Sequence, residues 1–306
     1  METALEESKT PEQIRKERDI LYGLFRDHME LQGSLHATEI ALAALLKSLR
    51  LFTPEEPEDF DRQLGQLYDA IWSSEPRITP LISMLSICDA DAKTNALTDA
   101  REKMIACIQG RLNYVNESVE RVAEAGAHLV EDGDFIVVHS VSIILKRLLG
   151  KAKERGKSFK VLILKQDMNK TGQVMRQLRE EGVDYRAAPE YSVAHFMDQA
   201  TKMFLGAMAI TEDDKAVCSV GTASIVGMAH LNNLPVYLFV SPLALSDKVC
   251  GDRNIHRKEE VCVDSGLEYT QIIHSNDVVD ICMMNHLVGE DGEMDESWRE
   301  RFACRI

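Results

Sequence analysis

The residues best suited to binding a ligand lie just after predicted strands, where small and hydroxyl side chains precede helices. Ser219, Gly221 and Thr222 come before one predicted helix, and Ser140 and Ser142 come before another. Such a helix start presents free backbone N–H groups and the positive end of the helix dipole to an anion. The pattern therefore predicts a phosphate-binding cleft, although helix capping alone explains the same residues.

Further small and polar residues complete this candidate cleft. Gly33 and Ser34 form a glycine turn before a helix, Lys170 follows a strand, and Gly206 and His139 each end one. A lone histidine at such a place is more often a packed strand-end residue than a base, and no histidine and acid accompany a serine as a triad requires. We therefore predict no catalytic residue and the following ligand-binding set: Gly33, Ser34, His139, Ser140, Ser142, Lys170, Gly206, Ser219, Gly221 and Thr222.

The first part of the chain has the apolar period of helices. Apolar residues recur at helical spacing over residues 11–31, after Gly33, over residues 60–72 and over residues 95–129. Acidic residues and Gly133 then end the pattern. We expect a helical N-terminal domain over residues 1–132.

The second part alternates short apolar runs with amphipathic stretches. The predicted strands cover residues 135–139, 159–164, 185–188, 203–207 and 236–240, and the predicted helices cover residues 141–155, 172–181, 192–201 and 222–232. This alternation is typical of right-handed βαβ crossovers and a parallel sheet with helices on both faces. The predicted fold class is α/β, with a parallel-sheet domain over residues 133–306.

Composition limits the classes of partner and cofactor. The 306 residues carry a formal net charge of −15, which opposes binding to a phosphate backbone, so we expect no direct nucleic-acid partner. No apolar run reaches the length of a membrane span and the start is polar, so we expect no membrane partner and a cytoplasmic location. The seven cysteines form no C-x-x-C pair, which is typical of reduced thiols, so we predict no disulfide frame, no metal and no cofactor.

Five motifs in order resemble one known family. They are residues 133–142, residues 156–161, Gly206-Ala207, Val220-Gly221-Thr222 and residues 233–237. This series is similar to the initiation factor 2B alpha, beta and delta subunit family, which also contains methylthioribose-1-phosphate isomerase and ribose-1,5-bisphosphate isomerase. The resemblance implies a helical N-terminal domain, a Rossmann-like domain and a homodimer, to which the apolar segment 282–288 could contribute.

The sequence departs from the isomerase pattern at the positions that carry catalysis. The resemblance places Ser140 where the isomerases have a cysteine, and Met208 where they have the aspartate of a Gly-Ala-Asp motif. A serine is far less acidic than a thiol, and a thioether cannot transfer protons. These changes favour a non-catalytic member of the family.

Positions that the family uses for phosphate also differ. Asp167 stands where many members carry an arginine, Cys218-Ser219 replaces an Asn-Lys pair, and Gln32 precedes the glycine turn in place of an arginine. A carboxylate in place of a cation weakens anion binding. Lys170 is a candidate replacement cation.

Three hypotheses follow from these residues. The first is a non-catalytic, regulatory protein related to the initiation factor 2B alpha subunit, which binds a sugar phosphate or nucleotide monophosphate and works with initiation factor 2 or sister exchange-factor subunits. The second is an aldose-phosphate isomerase in which Asp213 or Asp214 replaces the missing acid and Ser140 the thiol. The third is a structural subunit whose cleft is closed by bulky side chains such as Met208.

Overall fold

The computed structural model describes most of the chain from Gly33 onward. The predicted helix over residues 11–31 and almost all of the one over residues 60–72 lie outside the described residues, as do Ser140, Asp167 and Gln32. The division at residue 132 stays a prediction. The described residues are 33–51, 65, 78–82, 84–85, 97–139, 142–165, 168–245, 257–264, 266–274 and 276–295.

Two of the predicted N-terminal helices are present. They are α1, Ser34–Leu51, and α2, Leu97–Ala127. Apolar residues three, four or seven apart on α2 form its buried stripe. At the start of this helix, Arg101 donates from Nε to the Leu49 carbonyl of α1 at 2.9 Å. That bond satisfies one of the carbonyls left open at the end of α1. The stripe consists of Met104, Ile108, Val115, Val119 and Val122.

A seven-stranded sheet with helices forms the second part and confirms the predicted α/β class. Its strands are β1 (Phe135–His139), β2 (Lys160–Lys165), β3 (Asp184–Pro189), β4 (Lys202–Gly206), β7 (Val236–Phe239), β11 (His286–Gly289) and β12 (Gly292–Glu293). Its helices are α3 (Ile143–Glu154), α4 (Met168–Glu180) and α5 (Thr222–Leu231). The strand order is β12-β11-β7-β4-β1-β2-β3, and every pairing except that of β12 is parallel.

Two smaller antiparallel sheets come from segments that the periodicity did not predict. One joins β5 (Ala209–Ile210), β6 (Lys215–Ser219) and β10 (Asn276–Asp280), and the other is a hairpin of β8 (Arg257–Asp264) and β9 (Leu267–His274). Among the described helices, none is both long enough and apolar enough to cross a membrane.

Three expectations need correction. The helix predicted over residues 192–201 is instead a short 3-10 helix, Glu190–His195, followed by turns. Leu287 and Val288 lie on β11 and are buried in the core, so this part of the proposed dimer segment is internal. Cys107 is disulfide-bonded, whereas Cys218 is a free thiol.

Helix α2 packs directly on α3 and the sheet. At the contact lies Gly126, where an added Cβ would come within 2.7 Å of Cε1 of Phe239 and would overlap the side chain of Leu148. Nearby, Lys202 on β4 donates from Nζ to the Leu129 carbonyl at 2.8 Å and to the Asp134 carboxylate at 2.8 Å. These contacts fix the helical part on the sheet, and thereby fix the start of α1 near the candidate cleft.

Candidate functional site

The candidate site lies where the sheet changes direction. From β1 the chain runs outward through β2 to β3, whereas from β4 it runs outward the other way through β7. Parallel sheets bind ligands at such a point, beyond the carboxyl ends of the two central strands. Here those ends are His139 of β1 and Gly206 of β4, which the sequence analysis had selected.

The start of α3 brings three predicted residues together. Ser142 caps this helix, because its Oγ accepts a hydrogen bond from the Leu145 N–H at 3.3 Å. A Cβ on Gly206 would lie 2.8 Å from that Oγ, and a Cβ on Gly33 would lie 3.6 Å from Cβ of Ser142. Gly33 also has a φ of 87°, which favours glycine. The three residues therefore pack closely around the helix end.

The start of α1 is tied to the loop after β4. The Ser34 hydroxyl donates to the Met208 carbonyl at 3.0 Å, and Ser34 is buried. Met208 is part-buried and packs against the main core, and its N–H donates to the Val217 carbonyl at 2.8 Å. Met208 thus serves packing and backbone pairing.

The start of α5 holds the second group of predicted residues. The Thr222 hydroxyl donates to the Ser219 carbonyl at 2.6 Å, and its oxygen lies 3.0 Å from Nδ1 of His139. Since the hydroxyl gives its one proton to Ser219, Nδ1 of His139 is the donor in the second bond. His139 is only 1% exposed. Its ring is therefore oriented by Thr222.

Glu190 is the main site residue that the sequence analysis missed. Its Oε1 lies 3.5 Å from Nε2 of His139, and the same carboxylate packs against the Cα of Gly221. Because Nδ1 of His139 donates to Thr222, an attractive contact at Nε2 requires a proton on that nitrogen or on the carboxylate. Gly221, with a φ of 92°, leaves no room for a Cβ beside Glu190.

A second carboxylate closes the other side of the α5 start. Asp277 on β10 accepts a hydrogen bond from the Ala223 N–H at 2.9 Å. Burial, with a smaller contribution from Asp277, raises the pKa of the Cys218 thiol to about 12. The helix end that was predicted to attract phosphate is thus already occupied by two protein carboxyl groups, because Asp277 uses the Ala223 N–H and Glu190 fills the space beside Gly221.

Sequence signals for these two acids are unequal. Glu190 directly follows β3, so the rule that selects residues after parallel strands could have found it. Asp277 belongs to β10, a strand that reaches the site only after the β8–β9 hairpin, and no local pattern marks it.

The remaining predicted residues are not placed in the site by the structure. Ser140 lies outside the described residues, and Lys170 lies on α4 with a side chain that is not described. Asp213, an acid in the isomerase hypothesis, accepts a hydrogen bond from Thr211 at 2.6 Å and pairs with Lys215 at 2.7 Å. Hydrogen bonds from Lys215 and Thr211 lower the pKa of the exposed Asp213 carboxyl.

Residues 30–281 match the Initiation factor 2 subunit family. The chain belongs to this family. Since the match covers most of the described fold, the carboxyl-end loops of β1 and β4 lie inside the family region, as do Glu190 and Asp277.

Similar proteins within this family have different functions. A Pyrococcus horikoshii protein named eIF-2B subunit 2-like is 27% identical over 59% of this chain and 65% of its own length. Ribose 1,5-bisphosphate isomerase of Haloterrigena turkmenica is 23% identical over 76% of this chain and 72% of its own. The chain therefore spans about two thirds of the length of these relatives and resembles both kinds.

Solved structures show the same fold. The translation initiation factor eIF-2B of Pyrococcus horikoshii superposes with a TM-score of 0.76 over 93% of this chain and 98% of that chain, at 18% identity. A 5-methylthioribose 1-phosphate isomerase of the same organism superposes with a TM-score of 0.67 over 94% and 86%, at 12% identity. The fold alone is thus shared by factors and isomerases.

Proposed function

We propose that this chain is a non-catalytic, regulatory member of the initiation factor 2B-related proteins, which acts by assembling with other copies or with sister subunits. The observation that carries this proposal is the use of the cleft's polar groups by the protein itself. Ser34 and Thr222 each donate their hydroxyl proton to a backbone carbonyl, and the Ser142 hydroxyl accepts a hydrogen bond from the Leu145 N–H. Glu190 and Asp277 flank the helix start where a substrate phosphate would bind.

The absence of an acid at position 208 supports the same conclusion. Isomerisation of an aldose phosphate needs groups that remove and return a proton at one sugar carbon. Met208 has no ionisable group, and its main chain is engaged by Ser34 and Val217. A chain with this residue at that position keeps the architecture of the family without its proton-transfer pair.

We place the regulatory ligand, a sugar phosphate or nucleotide monophosphate, at the start of α3. That end of the cleft contains Gly33, Ser142 and Gly206 and lies on the β1–β4 side, whereas Glu190 packs at the start of α5. The N–H groups and dipole of α3 favour an anion there. Regulation would follow if the bound ligand stabilised the contact between the α1 start and the sheet.

A thermal-shift screen tests the ligand. The full chain is heated with ribose, methylthioribose and hexose phosphates, AMP or GMP, since a ligand that binds only the folded state raises the Tm by mass action. A saturable shift with one compound, reduced in Gly206→Ala, is expected. The absence of any shift would remove the ligand from the proposal and leave assembly as the function.

An isomerase remains the second candidate, because His139 and Glu190 form a titratable pair at the switch point. Nε2 of His139 and Oε1 of Glu190 lie 3.5 Å apart, and the Glu190 side chain is partly exposed. In this candidate Glu190, rather than Asp213, supplies the acid. It predicts turnover that is lost in Glu190→Gln.

A further inference from the structure

Helix α3 carries a buried lysine in its first turn. Lys146 is only 5% exposed, and its N–H donates at 3.1 Å to the carbonyl of Ser142, the residue that caps the helix. Lysine is rarely buried to this extent unless an anion compensates its charge, because removing an ammonium from water costs free energy. The surroundings of Lys146 therefore indicate where an anion belongs.

The face of α3 that carries Lys146 begins at the proposed ligand site. Ser142 precedes Lys146 by four residues and Gly150 follows it by four, so the three share one face of the helix. At the N-terminal end of this face, a Cβ on Gly206 would lie 2.8 Å from Oγ of Ser142. One turn beyond Lys146, a Cβ on Gly150 would lie 2.9 Å from Oε2 of Glu181. Lys146 thus stands between the cleft and Glu181.

Helix geometry directs the lysine side chain toward the cleft. Long side chains on a helix run back toward its N-terminus, and a lysine stem covers about one turn, 5.4 Å, which brings the ammonium to the level of Ser142. Burial lowers the pKa of Lys146, and the charge of Glu181 has a smaller, opposite effect. Glu181 itself accepts a hydrogen bond at Oε1 from Nε2 of Gln177 at 2.8 Å.

The proposed ligand needs a cation that the family resemblance does not supply. Gln32 and Asp167 stand where the resemblance implies arginines, and Cys218-Ser219 stands where it implies an Asn-Lys pair. The dipole of α3 favours an anion only modestly. A buried ammonium strengthens such a site, because a charge-assisted hydrogen bond is strong where water is excluded.

We propose that the ammonium of Lys146 binds the phosphate group of the ligand at the start of α3. The ammonium and the N–H groups of the first helical turn would then hold one phosphate together. This inference rests on the proposed ligand site and deepens it, because it names the cation and the group that the cation recognises. The charge of Glu181, one turn away, favours the protonated lysine while the site is empty.

Lys146→Met removes the charge and keeps an unbranched side chain. Replacing a buried charge by an apolar group of similar shape is often neutral or stabilising, and Glu181 keeps its bond from Gln177, so the ligand-free variant should be as stable as the parent chain. Its Kd for phosphate should rise at least about tenfold, as expected when a hydrogen bond to a charged group is lost. A lysine that served only the fold would change the Tm and leave the Kd unchanged.

Lys153→Met is the matched control. Lys153 lies on the same helix about two turns further from the cleft, where its Cε lies 3.8 Å from the Cβ position of Gly182. Both variants change the net charge by the same amount. The probe is inorganic phosphate, added to the full chain over roughly 0.1–30 mM at constant ionic strength, and the Kd is taken from the rise in Tm. Because phosphate also stabilises folded proteins without a specific site, only the saturable part of the rise is counted.

The possible results separate Lys146 from the ligand site itself. Saturable binding by the parent chain and Lys153→Met, with a Kd at least about tenfold higher for Lys146→Met, is expected. Equal affinity of Lys146→Met and the parent chain, with a loss only in Gly206→Ala, would refute the role of Lys146 and keep the site at the start of α3. A parent chain without a saturable shift would refute both. Lys146→Gln, which also removes the charge, is measured if Lys146→Met loses the native far-UV circular dichroism spectrum.

Discussion

Two glycine-to-alanine substitutions on α2 should change the free energy of unfolding in opposite directions. In an exposed part of a helix, Gly→Ala stabilises by about 0.5–1 kcal/mol because it lowers the entropy of the unfolded chain. Gly110 has open space at its Cβ position. At Gly126 an added Cβ would lie 2.7 Å from Phe239 and 2.9 Å from Cγ of Leu148, and both neighbours are fully buried.

The magnitude at Gly126 is the balance of two effects. Overpacking a tight core site costs about 1–3 kcal/mol, and the upper part applies because neither buried neighbour can move into solvent. Subtracting the helix-propensity gain of about 1 kcal/mol leaves a net destabilisation of about 2 kcal/mol. Gly126→Ala should therefore lower the free energy of unfolding, while Gly110→Ala should raise it by up to about 1 kcal/mol.

Urea unfolding at 25 °C, followed by circular dichroism at 222 nm, measures both variants against the parent chain. A lower midpoint for Gly126→Ala and a higher one for Gly110→Ala are expected, with similar slopes. Equal stabilisation by both substitutions would show that α2 does not pack on Leu148 and Phe239 as described. The helical part would then not be held on the sheet through Gly126.

Three further predictions concern buried polar groups. Lys202→Met should destabilise the fold by about 3 kcal/mol because it leaves Asp134 buried without its cation. Burial tends to lower the pKa of Lys202, but hydrogen bonds to Asp134 and Glu131 outweigh this effect and raise the pKa. The stability difference should be complete below pH about 10.4 and shrink as the pH rises through the raised pKa, which pH-dependent urea titration checks. At pH 8, iodoacetamide should modify exposed Cys282 well before buried Cys218, whose pKa is about 12, and peptide mass spectrometry reads the order. Thr222→Val should destabilise by about 1–3 kcal/mol because the buried Thr222 hydroxyl bonds both Ser219 and buried His139, and an unchanged urea midpoint would contradict this.

The sequence predicted the sheet well because its strands are short apolar runs separated by glycine. The first predicted strand matches β1, residues 135–139, and the other four differ from the observed strands by at most a few residues. A longer helix was predicted where the structure has the 3-10 helix Glu190–His195. So short a mixture of polar and apolar residues fits the period of either kind of helix. Strands β10 and β11 were not predicted because their pairing partners, β6 and β7, lie far away in the chain. The hairpin of β8 and β9 has a local pairing that the periodicity analysis missed.

The site was predicted only in part, for a physical reason. Ser142, Gly206, Gly221 and Thr222 follow strands or open helices, so local patterns mark them. The two carboxylates at the start of α5 change its preference for anions, and their positions depend on tertiary packing. A helix start alone thus indicates where an anion could bind, whereas its surroundings decide whether the protein has already filled that place.

The central claim is that the cleft has no isomerase activity, and a direct isomerase assay tests this claim best. The chain is incubated at high concentration with ribose 1,5-bisphosphate or 5-methylthioribose 1-phosphate, and the sugar is followed by NMR over hours. No conversion above the rate without protein is expected. Conversion by the parent chain that is lost in Glu190→Gln would contradict it and establish the second candidate.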